Sequence, residues 1–231
     1  MWTRAGSRRL RSSRAGRFGA DLTRVETTAP AGRLSAANGM AMEPRMPTVQ
    51  LIKAKRFGDA RGWFTETYSA PVFAARGIDC AFVQDNHSFS VPSFTLRGLH
   101  FQTPPHAQDK LVRCIHGRIF DVVVDVRAGS PTYGQWVGAE LSAESGDQLF
   151  IPVGFAHGFL TLEPDCEVTY KVSYVYAPAS DGGVRWDSVG VDWPMPSGER
   201  PHLSPKDEGL PTLAEFDSPF PYDGQPLLPL T

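Results

Sequence analysis

The stretch Gly146-Asp-Gln-Leu-Phe-Ile-Pro-Val-Gly-Phe-Ala-His157 decides the reading of the fold. Gln148-Leu-Phe-Ile151 runs as a strand into Pro152, which has no N–H to give a ladder. Gly154 permits a tight turn, and the next strand opens with His157 facing inward. Working outward, short apolar or alternating runs recur on both sides: Val49–Lys53, Phe64–Ser69, Lys110–Ile115, Trp136–Leu141, Gly158–Leu162 and Val168–Ser173. Ile119-Phe-Asp-Val-Val-Val-Asp-Val126 is the strongest of them, rich in β-branched residues. Turn signals separate the runs at roughly 8–12 residue intervals, the spacing of an all-β sandwich or barrel.

Helical signals are few. Pro71-Val-Phe-Ala-Ala-Arg76 has Pro in its first turn and Gly77 beyond its end, and a second short helix is expected near Leu213-Ala-Glu-Phe216. Past residue 176 the chain turns rich in Pro, Gly and Asp and reads as long ordered loops that cover one mouth of a barrel. No repeat and no linker divides residues 47–231, which read as one domain.

The N-terminus differs from the rest. Residues 1–36 hold eight Arg and no Lys against two acids, a charge of +6, whereas the whole chain carries −2 and the remainder therefore −8. An acidic body argues against nucleic acid as a partner, and an anionic ligand must be met by local basic residues. Residues 1–46 read as a disordered extension or as sequence upstream of a true start at Met40, Met42 or Met46. No run approaches the ~20 apolar residues of a membrane span, so no membrane association is expected. Cys80, Cys114 and Cys166 have neither paired nor metal-ligand spacing and read as reduced thiols of a cytoplasmic protein.

The spacing G-x5-P-x-G-x2-H in residues 146–157 resembles the second motif of the cupin barrels. The first cupin motif needs a His-x-His pair, and here Leu99-His100-Phe101-Gln102 places Gln at the second ligand position. Only His100 and His157 are plausible ligands, fewer than a first-row metal usually takes. The expectation is no metal and no cofactor, which disfavours a cupin dioxygenase.

Longer motifs narrow the resemblance. Phe57-x-Asp59-x-Arg61-Gly62-x-Phe64-x-Glu66, Gln84-Asp-Asn-His-Ser88, Leu96-Arg-Gly-Leu-His-Phe-Gln102, Lys110-Leu-Val-Arg-Cys114, Ile151-Pro-x-Gly-Phe-Ala-His-Gly-Phe159, Tyr170-Lys171, Tyr174-x-Tyr176, Arg185-Trp186 and Leu203-Ser-x-Lys-Asp207 fall in order. Over roughly residues 48–216 the chain resembles the dTDP-4-dehydrorhamnose 3,5-epimerase family. That resemblance implies a cupin-like jelly-roll barrel acting on a dTDP-linked 4-keto-6-deoxy sugar, in which the C4 ketone acidifies the hydrogens on C3 and C5.

By resemblance His100 is the base, a group whose ordinary pKa of ~6.5 suits proton abstraction at neutral pH. Asp207 matches the carboxylate that orients it, Lys110 the cation at the C4 oxygen, and Tyr170 the acid that returns a proton from the far face. Arg61 and Arg97 match pyrophosphate contacts and Tyr176 the ring that stacks on thymine. Glu66, Gln84, Asn86, His157 and Lys206 match further substrate contacts. Asp181 stands where the family is expected to use Glu, one methylene longer. The resemblance also implies a homodimer with exchanged N-terminal strands, so that Arg61 and Glu66 serve the partner's pocket. Two alternatives stay open here: an epimerase acting at C3 or C5 alone, and a non-catalytic nucleotide-sugar-binding cupin, which would need only Arg61, Arg97 and Tyr176.

Overall fold

The structure, a computed structural model, describes residues 48–231. The reading of residues 1–46 lies outside them.

Twelve strands build the fold. They are β1 (Gln50–Ile52), β2 (Arg56–Asp59), β3 (Gly62–Thr65), β4 (Gln84–Ser90), β5 (Leu96–Gln102), β6 (Lys110–His116), β7 (Arg118–Asp125), β8 (Trp136–Ser142), β9 (Gln148–Ile151), β10 (Phe155–Thr161), β11 (Cys166–Val172) and β12 (Asp181–Gly183). One five-stranded sheet has the order β1-β9-β6-β11-β4, a second the order β12-β5-β10-β7-β8, and β2-β3 is a separate ribbon. Every pairing between these strands is antiparallel. This is the expected all-β, cupin-like jelly roll.

The opening motif folds as its residues dictate. Pro152 follows the end of β9, Gly154 turns with φ +92°, and β10 brings His157 level with His100 of β5. Gly158 and Gly98 allow this close crossing, because a Cβ on Gly98 would lie 2.5 Å from the Gly158 Cα.

Three apolar layers hold the sheets. Val112, Cys114, Leu149, Ile151 and Val168 of the first sheet face Ile119, Val123, Leu141, Phe155 and Phe159 of the second. On the other side of the second sheet, Val122, Val124, Leu96 and Phe101 pack under Val184, Val189, Trp193 and Phe220. The run in β7 is therefore buried on both faces, which explains why it reads as continuous rather than alternating. A third, smaller layer of Leu111 and Phe150 lies under Phe73 and Ile78.

Two expectations need correction. The Pro- and Gly-rich segment beyond residue 176 packs along the outer face of the second sheet rather than only across a barrel mouth. The residues near Leu213 form turns, and the second helix is Pro205–Glu208. Its start is fixed locally: the Ser204 hydroxyl accepts from the Asp207 N–H, and Pro205 occupies the first turn. The first helix falls where expected, at Ala70–Ala74 with Pro71 in its first turn. Among the described residues no helix is long and apolar enough to cross a membrane, and the three cysteines carry free thiols.

Candidate active site

A cleft of ≈ 240 Å³ opens between the sheets. Gln84 and Asn86 of β4, Lys110 of β6 and Tyr170 of β11 approach it from the first sheet, and His100 and Gln102 of β5 from the second. Asp181, Tyr176 and Lys206 close one side. Inward-facing positions two apart on β4 and β5 deliver these side chains together, as strand alternation requires.

Asp207 stands behind His100. Its Oδ1 lies 2.5 Å from the His100 Nε2, and its Oδ2 accepts from the Ser204 hydroxyl at 2.8 Å. Burial raises the pKa of Asp207, but the bonds from His100 and Ser204 outweigh it and leave the carboxyl below its ordinary range. With Nε2–H committed to an anion, Nδ1 carries the free lone pair, so the ring is oriented as a base.

Lys110 is buried, and its ammonium donates to the His100 carbonyl oxygen at 3.1 Å. Burial lowers its pKa to about 8, against the opposing pull of Asp121 and Asp181. The ammonium is thus charged at neutral pH but poorly solvated, suited to meet a developing oxyanion. The unfolded chain holds this proton to about 10.4, so the buried charge costs stability below pH 8 and the cost fades as pH rises past it. Activity should move the other way: kcat/KM is expected to fall as pH climbs through about 8. Lys110→Arg, always charged, should lose this alkaline limb; a limb of unchanged position in the variant would reject Lys110 as its source.

Tyr170 reaches the cleft from the sheet opposite His100. Burial raises the pKa of its phenol, partly offset by the charge of Arg97, so the group is protonated and able to donate. At the outer side Asp181 accepts from Lys206 at 2.5 Å and from the Tyr176 hydroxyl at 2.8 Å. Burial raises the Asp181 carboxyl, and these two donors more than reverse it.

Four expected residues lie elsewhere. His157 is buried at 7% exposure beneath the cleft rather than lining it, with Nε2 2.9 Å from Asp121 Oδ1. Burial lowers its pKa, so it is a neutral imidazole that the two strands lock in place. Arg97 is exposed, its guanidinium donating to Ser90 Oγ at 3.1 Å and to the Phe89 carbonyl at 3.0 Å. Arg61 lies on the β2-β3 ribbon, paired with Asp59 at 2.6 Å, and Glu66 is exposed just past it. Within one chain neither lines the cleft.

Three contributors were not anticipated. Asp121, fully buried on β7, orients His157 and leaves Oδ2 without a hydrogen-bond partner among the described residues. An Asp inside the most apolar strand was the available signal, since a buried carboxylate demands a partner. Ser204 was legible too, as the first residue of an S-x-x-D cap. Gln108, the third, carried no sequence signal. Gln102, noted only as a missing metal ligand, has its amide committed to the backbone: Nε2 donates to the His106 carbonyl at 2.7 Å, and Oε1 accepts from Ala177 N–H at 2.7 Å. Among the described residues, no group of three or more His, Cys, Asp or Glu is arranged to hold a metal ion.

An imidazole backed by a carboxylate, a buried ammonium beside it and a phenol on the facing sheet share one cleft of a cupin-like jelly roll, a set of groups able to take up and give back protons. Comparison with known proteins narrows this. A family model described as dTDP-4-dehydrorhamnose 3,5-epimerase matches residues 43–215. The dTDP-4-dehydrorhamnose 3,5-epimerase of Sinorhizobium fredii is 49% identical over 75% of this chain and 89% of its own length. The Escherichia coli enzyme of that name is 50% identical over 73% and 91%. Among solved structures, the Legionella pneumophila dTDP-6-deoxy-D-glucose-3,5-epimerase in complex with dTDP-4-keto-L-rhamnose superposes with a TM-score of 0.69 at 43% identity, covering 73% of this chain and 89% of that one. The chain belongs to the dTDP-4-dehydrorhamnose 3,5-epimerase family.

Proposed function

We propose that this chain epimerises C3 and C5 of dTDP-4-dehydro-6-deoxy-D-glucose, giving dTDP-4-dehydro-L-rhamnose. The observation that carries the residue assignment is the His100–Asp207 pair at one wall of the cleft with Tyr170 at the other. His100 Nδ1 removes the proton beside the ketone. The charge moves to the C4 oxygen, where Lys110 stabilises it, a contribution of ~10²–10³ in rate for one well-placed donor. Tyr170 returns a proton to the opposite face of the carbon, which inverts it. Tyr176 stacks on the thymine, and Lys206, Gln84 and Asn86, which border the cleft, hold the nucleotide end, while Asp181 acts on the substrate mainly by fixing Lys206 and Tyr176. The protein works in the cytoplasm, needs no metal or cofactor, and binds neither nucleic acid nor membrane.

Turnover in D2O tests this directly. The wild-type protein should incorporate deuterium at both C3 and C5; incorporation at one carbon alone would make it a single-centre epimerase. Tyr170→Phe should lose epimerisation yet retain some exchange, because abstraction and reprotonation use different groups. Loss of both together would refute the division of labour.

The same reading makes the protein a homodimer with exchanged N-terminal strands. The β2-β3 ribbon belongs to neither sheet, and Phe57, Trp63 and Phe64 on it are 53%, 58% and 68% exposed. A swap that buries these rings would carry Arg61 and Glu66 to the partner's cleft. Arg61→Ala and His100→Ala chains, each inactive alone, should then recover activity when mixed and reassociated. A mixture as inactive as its components would reject the exchange.

A further inference from the structure

Residues 174–177 leave β11 and run to the turn at Pro178–Ser180 without joining either sheet. Four of their backbone groups are nevertheless paired, and three glutamine side chains supply the partners. Gln108 Nε2 donates to the Tyr174 carbonyl at 2.6 Å. Gln102 Nε2 donates to the Val175 carbonyl at 3.3 Å, and its Oε1 accepts from Ala177 N–H at 2.7 Å. Gln84 Oε1 accepts from Tyr176 N–H at 2.9 Å, while its Nε2 is held by Asn86 Oδ1 at 2.8 Å. The three residues come from β4, from β5 and from the turn before β6, and all three border the cleft.

The geometry has a simple logic. A carboxamide is chemically a peptide group. By bonding a C=O and an N–H two residues apart, Gln102 does for this segment what a neighbouring strand residue would do. It is 4% exposed and Ala177 is half-buried, so losing the bond between them would leave poorly solvated polar groups unsatisfied. Tyr176 itself is 55% exposed and makes one side-chain bond, to Asp181. Its ring cannot be located by packing, so its position depends on how the backbone beneath it is held.

We propose that Gln84, Gln102 and Gln108 form an amide clamp that positions Tyr176, and that Gln102 acts on nucleotide affinity through this loop and not by touching the base. Gln102 is thus a positioning residue at the site where metal-binding cupins would place a ligand. The inference rests on the reading of Tyr176 as the ring that stacks on the base.

Calorimetric binding of dTDP to the full-length protein tests it. Gln102→Leu removes all the clamp bonds of that residue at similar volume and should raise the Kd for dTDP about tenfold, with KM for substrate rising more than kcat falls. Hydrogen exchange at the Ala177 amide should accelerate in parallel. In a Tyr176→Ala background, Gln102→Leu should weaken binding no further, because both changes remove the same contact. Gln108→Leu, which deletes only the bond to Tyr174, is the milder variant if Gln102→Leu fails to fold, and should show the same non-additivity with a smaller shift. Additive losses, or an unchanged Kd in the Gln variants when Tyr176→Ala alone weakens binding, would overturn the clamp. An unchanged Kd in Tyr176→Ala would overturn the stacking reading and the clamp with it.

Discussion

His100→Ala is expected to give a folded protein that binds dTDP and has lost turnover by ~10²–10⁴, the range for removing a positioned general base. Folding should survive because the contacts around the ring do not depend on it. Lys110 bonds the backbone carbonyl of residue 100, not its imidazole. Asp207 keeps the Ser204 hydroxyl and so is not left without a donor. Binding should survive because Tyr176, Lys206 and Asp181 lie on other elements and hold one another. Steady-state turnover and dTDP affinity, measured on the same preparation, check both halves. A variant within tenfold of wild type in turnover would remove His100 as the base. Asp207→Asn should follow in the same direction, since the amide keeps the shape but not the charge that stabilises the protonated ring.

The largest effect on stability is expected far from the chemistry, at Arg127. Its guanidinium is 2% exposed and grips the fully buried Asp125 with two bonds, Nε to Oδ1 at 2.9 Å and Nη2 to Oδ2 at 2.8 Å. Nη1 reaches Asp223 at 2.7 Å, and the plane stacks 4.2 Å from the Phe155 ring centroid. Asp125 also accepts from Ser130 and Thr132. This cluster ties the C-terminal segment to the end of β7, where Ala128 N–H bonds the Phe220 carbonyl. Arg127→Met leaves a buried carboxylate without its counter-charge, and breaking such a pair typically costs about 3–5 kcal/mol. Urea unfolding should report that loss, and a change under 1 kcal/mol would reject the strap. The double variant Arg127→Met/Asp125→Leu should regain part of it, because the fully buried charge of Asp125 is gone and only Asp223, at 17% side-chain exposure, lacks its guanidinium partner.

The acid side of the stability profile follows from the same cluster. Burial raises the Asp125 carboxyl, but Arg127, Ser130 and Thr132 more than reverse this, so its folded pKa lies below the unfolded value. The stabilisation is therefore present above about pH 4 and is lost as pH falls through the folded pKa.

Much of the site was legible because its chemistry is carried by short local patterns. The motif Leu203-Ser-x-Lys-Asp207 marked Asp207 by its resemblance, although the cap at Ser204 that points Asp207 at its target went unread. The 146–157 stretch places His157 on a strand start by Pro and Gly chemistry alone. What could not be read was anything fixed by a partner distant in sequence. His157 was expected at the cleft surface, yet it lies beneath, since its partner Asp121 is 36 residues away and the register of β7 with β10 sets their meeting. Gln102 was a mere absence of a ligand until the loop supplied a carbonyl 73 residues further on and an amide 75 residues further on for it to hold.

By itself, then, the sequence determined the all-β class and most of the strand runs, because propensity and turn chemistry are local properties, while the residues assigned to proton transfer followed from the family resemblance of their motifs. Only the tertiary structure decided which of those residues share one cleft, which serve as buried props, and that the β2-β3 ribbon carries Arg61 away from its own site. Those outcomes depend on strand register and on burial, where a one-residue shift turns a side chain to the other face of the sheet.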